Sequence, residues 1–238
     1  MMNQYVEEIW LEGKINENSY LNDIPVVQYL KNGCRLKFKN NVTFFVGENG
    51  TGKSTILEAI AVSYGFNAEG GSKNFQFTTR ETKYELAEYL KIARKAYAKD
   101  GYFLRSESFY NVASNIETIG VNGYGEHSLH ELSHGESFLS LFLNRFWGKG
   151  LYILDEPEAA LSPMRQMTLI SRIQELVNDN SQFIISTHSP ILLAYPEATI
   201  YELSDKGMKQ VEYKDTEIYQ VYSEFLKCPE RMLNYLLK

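Results

Sequence analysis

Cysteine is scarce in this chain, with only Cys34 and Cys228 among 238 residues. Two so far apart form neither a disulfide framework nor a Cys-x-x-Cys metal site, and they suit a reducing compartment. Long apolar runs are missing as well. None approaches the roughly 18 residues that a membrane span needs, so no membrane insertion is expected. The N-terminus carries acidic Glu7 and Glu8 rather than a basic stretch followed by an apolar one, so a secretory leader is not expected and a cytoplasmic location is. Positive charge is in short supply: 24 Lys plus Arg stand against 30 Asp plus Glu, a net charge of −6. That balance argues against non-specific wrapping of nucleic acid, although a local basic face stays open. No internal repeat, low-complexity tract or Pro-rich linker divides the chain. At 44% hydrophobic and 23% charged residues, it reads as one globular domain over 1–238.

What is present is an alternation of short apolar strands with helical periodicity. Val42-Thr43-Phe44-Phe45-Val46 is a β-branched and aromatic run that ends at Gly47 and feeds a periodic segment around Ile56, Leu57 and Ile60. Leu151 to Leu154 and Gln182 to Ser186 read as two more buried strands, separated by a helix carrying Met164, Met167, Ile170, Ile173 and Val177. This order predicts an α/β fold with a mainly parallel central sheet. Cys34 to Phe38 alternates and is followed by Asn40-Asn41, which suggests an antiparallel hairpin leading into the Val42 strand. Thr199 to Leu203 and Lys209 to Tyr213 flank Asp205-Lys206-Gly207, a second hairpin signal before a helical tail. The stretch 76–147 has a different texture and reads as an inserted helical lobe. In it Thr82 to Ala98 has the composition of a surface helix, and Phe109 to Ile119 that of a shorter one.

Gly47-Glu48-Asn49-Gly50-Thr51-Gly52-Lys53-Ser54 matches G-x-x-x-x-G-K-[ST] in full, after a buried strand and before a helix. Glycines let the backbone curl so that successive N–H groups face phosphate oxygens, and the following helix adds partial positive charge at its N-terminus. Lys53 is then placed to reach the β and γ phosphates of ATP, and Ser54, followed by Thr55, to ligate Mg²⁺. The second strand ends in Asp155-Glu156 at the carboxyl edge of the sheet, where open parallel sheets bind ligands. There Asp155 suits a Mg²⁺ carboxylate and Glu156 an orienter of the attacking water, while Glu158 suits a helix cap. The third strand runs into Ser186-Thr187-His188-Ser189-Pro190, so His188 is either a γ-phosphate contact or a strand-end cap. Ser133-His134-Gly135-Glu136 opens an apolar segment. It reads equally as a capping box and as an anion site built from a hydroxyl, a close backbone and a helix dipole. Lys91, Arg94, Lys95 and Lys99 recur at spacings that suggest a basic stripe, either a DNA contact or a solvated face balanced by Glu81, Glu85 and Glu88.

Taken in order, these motifs resemble the ATP-binding-cassette (ABC) class of ATPases over most of the chain. The order is phosphate loop, helical lobe, signature-like Leu132-Ser133-His134-Gly135-Glu136, acidic strand end at Asp155-Glu156 and switch-like His188. More narrowly, Asp155 to Pro163 and Ser186 to Pro190 are similar to small soluble bacterial ATPases of the RecF-like, structural-maintenance and genome-defence branch. The resemblance implies a P-loop fold with an antiparallel β subdomain. It also implies Gln76 as the residue joining sheet to lobe beside the metal, and an ATP-induced homodimer in which Ser133 to Glu136 act across the subunit boundary. His134 and Glu136 depart from the common Leu-Ser-Gly-Gly-Gln of transporters, and Ser162 stands where the class usually has Asp. Tyr20 and Tyr29 are the upstream candidates for stacking on adenine. Three functions follow: a soluble ATP-driven switch acting with DNA or a partner effector protein, the nucleotide-binding subunit of a membrane transporter, or a module that binds ATP without turning it over. Glu136 and the Pro157-Glu158 continuation favour the first, and Glu156 with His188 disfavours the third.

Overall fold

Strands in a parallel sheet covered on both faces must bury every side chain, so they read as continuous apolar runs. Three segments meet that demand and form the centre of the molecule. The computed structural model describes residues 4–72, 85–105 and 134–237. In chain order its elements are β1 (Glu8–Leu11), α1 (Pro25–Lys31), β2 (Leu36–Lys37), β3 (Val42–Gly47), α2 (Lys53–Tyr64), β4 (Gly71–Ser72), α3 (Glu85–Tyr89), β5 (Leu90–Ala93), β6 (Asp100–Arg105), α4 (His134–Asn144), β7 (Gly150–Asp155), α5 (Pro163–Asn178), β8 (Gln182–Ser186), α6 (Pro190–Leu193), β9 (Thr199–Ser204), β10 (Gly207–Val211), α7 (Glu217–Lys227) and α8 (Pro229–Leu236).

Seven strands form the main sheet in the order β10-β9-β3-β8-β7-β6-β4. The pairs joining β9, β3, β8, β7 and β6 are parallel, while β10 and β4 close the two edges antiparallel. Alternate side chains face opposite layers. Phe45, Ile153 and Ile184 point to a layer holding Ile56, Leu57 and Ile60 of α2; Phe44, Tyr152 and Phe183 point to one holding Phe138 and Phe142 of α4 and Leu169 and Ile173 of α5. The second layer is rich in rings: Phe146 stacks on Tyr152 at 4.2 Å between centroids. The Tyr152 hydroxyl donates to Asp100 at 2.7 Å, and burial, with Asp100 beside it, pushes that phenol upward in pKa.

A second, antiparallel sheet has the order β2-β1-β5. The mixed α/β architecture and the antiparallel β subdomain therefore stand as expected, as do the β9–β10 hairpin and the helical tail. Two local expectations do not. β2 pairs with β1, so Asn40-Asn41 passes the chain from one sheet to the other instead of turning a hairpin with β3. The helix expected over Thr82 to Ala98 is only α3; from Leu90 the chain is a strand on β1, with Leu11 opposite Leu90 and Ile9 opposite Ile92. Helix propensity is a weak prior. Here it yields to the open edge of β1 and to the alternation of inward Leu90 and Ile92 with Lys91.

That strand dissolves the expected basic stripe. Arg94 lies over the Tyr64 ring at 4.4 Å and donates to the Ser63 carbonyl, Lys95 pairs with Glu7 at 2.7 Å, and Lys91 approaches Glu12 at 3.7 Å. Within 76–147, the expected helical lobe, β5 and β6 thus belong to the two sheets. The helix expected over Phe109 to Ile119 lies outside the described residues.

Candidate functional site

The loop after β3 has its shape because three glycines take conformations that other residues rarely reach. Gly47, Gly50 and Gly52 have φ of 138°, 84° and 98°. A Cβ on Gly47 would lie 2.2 Å from the Leu203 carbonyl oxygen of β9, and one on Gly52 would lie 2.4 Å from Ile24. The loop is therefore pressed against two neighbours while its other side opens on a cleft of about 400 Å³, lined by Asn49, Gly50, Lys53, Ser54, Thr55 and Glu156 among others. Thr51 closes the curl by donating to the Glu48 carbonyl at 2.8 Å. Lys53 folds over it, with Nζ donating to the carbonyls of Gly47 at 2.8 Å and Glu48 at 3.0 Å. Burial pulls the Lys53 ammonium down in pKa, against the pull of Glu156, Asp155 and Glu158.

β7 lies one strand beyond β8, and β8 lies beside β3, so residues about a hundred apart in sequence meet at one sheet edge. The Ser54 hydroxyl donates to Asp155 Oδ1 at 3.1 Å, and Ser186, at the end of β8, donates to the same oxygen. Burial raises the Asp155 carboxyl although both hydroxyls favour its charged form. Glu156 is held at φ 51°, a left-handed conformation unusual for a residue with a Cβ. Its N–H donates to both the carbonyl and the hydroxyl of Ser186 at 3.1 Å. The turn so forced sets the Glu156 carboxylate facing His188, whose Nε2 is 3.4 Å from Glu156 Oε1, an ion-pair separation too long for a good hydrogen bond. Burial, and next the Lys53 charge, lower the His188 pKa, favouring neutral imidazole.

Glu158 is the residue whose place sequence reasoning missed. It caps no helix; it is buried under the His188 loop, where Oε1 accepts the His188 N–H at 2.6 Å. Its other oxygen is buried without a hydrogen bond, and burial raises its pKa while the His188 N–H and Thr187 oppose the rise. Ser186 was legible only as a strand residue, although it ties Asp155 to Glu156. Neither has a local signal, since their partners lie about thirty residues away. Ser162 caps α5, accepting from the Arg165 N–H.

The other expected residues fall elsewhere. Gln76 and Ser133 lie outside the described residues. His134, Gly135 and Glu136 begin α4, which lies across the sheet from α2 and packs its apolar residues in the opposite layer. Tyr29 packs against the core, and Tyr20 is exposed. A larger hollow of about 630 Å³, lined by Glu7, Lys37 and Lys95, lies apart from these groups.

Chemically, the edge offers backbone amides at the start of a twelve-residue helix, one ammonium, and two adjacent hard oxygen donors. Ser54 Oγ and Asp155 Oδ1 fit Mg²⁺, which binds few protein oxygens and completes its shell with water and phosphate. Consistent with that sparing use, the described residues contain no cluster of three or more His, Cys, Asp or Glu able to hold a metal alone.

A family model for an AAA ATPase domain matches residues 81–193. The ribose import ATP-binding protein RbsA of Bacillus cereus is 24% identical over 195 residues, 73% of this chain and 39% of that protein. The cytochrome c biogenesis ATP-binding export protein CcmA of Legionella pneumophila is 26% identical over 171 residues, 66% of this chain and 84% of that protein. Among solved structures, an inward-facing metal-chelate-type ABC transporter superposes with a TM-score of 0.50 at 15% identity, covering 93% of this chain and 88% of that one. The chain spans about two fifths of the ribose protein's length and a quarter of a plant transporter's. The likeness to the solved structure shows the fold of an ABC-type ATP-binding domain, and the matching family model and the two bacterial relatives are described as an ATPase domain and as ATP-binding proteins.

Proposed function

We propose that the chain is a single cytoplasmic ABC ATPase domain over 1–238 that works as a nucleotide-dependent dimeric switch. The observation that supports this best is the convergence of Lys53, Asp155, Glu156 and His188 at one edge of the sheet, close enough for their charges to act on one another. The amides of Gly47 to Thr55 cradle the ATP phosphates, and Lys53 turns from its loop carbonyls to the β and γ groups. Ser54 and Asp155, with Gln76 from the 76–147 lobe, would hold Mg²⁺, which would supply positive charge beside the phosphates. Glu156 orients water for in-line attack, and neutral His188 donates to the γ-phosphate. Because α4 starts across the sheet from α2, Ser133 to Glu136 act on the ATP of a second protomer, making a homodimer with two composite sites.

The experiment is Glu156→Gln. Nucleotide affinity by calorimetry should stay close to parental while turnover falls on the order of a hundredfold or more, the effect of losing a positioned base. Turnover near the parental rate would overturn the assignment of Glu156.

For the output, Glu136 and the Pro157-Glu158 continuation favour a partner effector protein or DNA, as in the RecF-like and structural-maintenance branch. The names of the curated relatives favour instead the nucleotide-binding subunit of a transporter, a reading about equally supported. No helix among the described residues is long and apolar enough to cross a membrane. Fractionation of the chain expressed with its neighbouring genes separates the two: a transporter subunit sediments with membranes and the switch does not.

A further inference from the structure

The last two helices are built for a contact that the described chain does not make. In α7, Ile218, Val221, Tyr222, Phe225 and Leu226 recur at the spacing of one helical stripe; α8 carries exposed Leu233 and Leu236, with Leu237 at its C-cap. Among the described residues, anchoring contacts lie in the first turn of α7. Thr216 caps it, the Glu217 N–H donates to buried Glu202 at 2.9 Å, Ile218 packs on the core, and Tyr219 meets Tyr213 edge to face at 4.8 Å. Beyond that turn neither helix has a buried residue. Leu226, Leu236 and Leu237 are 72%, 76% and 80% exposed. Helices of 11 and 8 residues are too short to persist on propensity alone. Their apolar stripe exposes on the order of 700 Å², close to what one partner buries in a standard interface.

We propose that this hairpin pairs two copies of the chain about a two-fold axis, independently of nucleotide. Charge selects the occupant. Glu217, at the start of α7, and Lys227, at its end, lie symmetrically about Tyr222, so antiparallel α7 helices set opposite signs against each other. Acidic Glu217, Glu224 and Glu230 against Lys227 and Arg231 leave no basic excess to hold an anionic membrane. The seam also reaches the proposed catalytic edge: Ile218, Val221 and Tyr222 line a hollow of about 190 Å³ together with Gly47, Glu48 and His188. This pairing is distinct from one bridged by ATP.

Sedimentation equilibrium of the full nucleotide-free chain, from about 1 to 100 μM, tests it. The expected result is a dimer with low-micromolar dissociation, unchanged in Lys53→Ala, and weakened at least a hundredfold in Leu226→Glu/Leu236→Glu with helicity by circular dichroism retained. Should the double variant lose helicity, Leu236→Arg alone, at a site open to solvent, should still weaken pairing about tenfold. A parental monomer at 100 μM, a dimer indifferent to these substitutions, or a stripe occupied by a different polypeptide or by lipid vesicles in place of the second copy would each overturn the proposal.

Discussion

The carboxyl edge of the main sheet and the C-terminal helix pair answer the same constraint in opposite ways. At the edge, polar groups are buried and pinned: Asp155 by two hydroxyls, the Glu156 N–H by two oxygens of Ser186, the His188 N–H by Glu158. In α7 and α8, large apolar groups are exposed and no residue is buried. Buried polar groups are expensive unless satisfied, so hydrogen bonds fix Asp155 and the backbone of Glu156 and His188 before any ligand arrives. Exposed apolar groups tolerate many arrangements, so the second waits on a partner for its stability. Preorganisation should make the edge sensitive to single atoms and the hairpin insensitive until it is paired.

The largest expected effect breaks the edge. Lys53→Ala deletes the ammonium that lines the cleft among the described residues and should weaken ATP binding on the order of a hundredfold, the size of a lost charge-assisted hydrogen bond, while unfolding stays near parental. Calorimetric affinity equal to the parent would mean that the loop does not act as a phosphate cradle.

A smaller effect sharpens the cost of preorganisation. Glu158 has a raised pKa, so the folded chain binds its proton more tightly than the unfolded chain, whose carboxyl titrates near 4.5. Its contribution is therefore fully present below that value and is lost as pH rises through the raised folded value. Glu158→Gln keeps an acceptor for the His188 N–H and does not titrate. The variant should melt about 2–4 °C above the parent at pH 8, for roughly 1 kcal/mol, and the gap should close towards pH 4. A gap independent of pH would show that burial of charge is not what Glu158 costs the fold.

The smallest effect belongs to the hairpin. Leu226→Ala, measured at protein concentrations low enough for a monomer, should change unfolding free energy by no more than about 0.5 kcal/mol. Leu192→Ala in buried α6 should cost about 2–5 kcal/mol in the same denaturant titration. Equal losses would erase the contrast between an anchored and a waiting region.

Much of the edge was legible because its signals are contiguous. A full G-x-x-x-x-G-K-[ST] between a strand and a helix needs no distant residue to be recognised, and Asp155-Glu156 and His188 follow from where apolar strands stop. The 90–93 segment misled because Leu90, Lys91 and Ala93, following Glu85 and Glu88, suit a helix, while the edge of β1 that turns it into a strand lies some eighty residues upstream. Glu158 misled for a related reason: an acid after a strand looks like a cap until β8 is placed beside β7.

Sequence alone determined the strand-loop-helix unit, the buried parallel strands and the helical tail, since each rests on periodicity or on backbone conformations confined to a few neighbouring residues. Tertiary structure decided which layer each ring entered, the second sheet, the clash at Gly47 that leaves no room for a Cβ, and the hold of Glu158 on His188. Those depend on strand order, and strand order is fixed by how two apolar faces and one open edge are buried together, a property of the whole chain and not of any window within it.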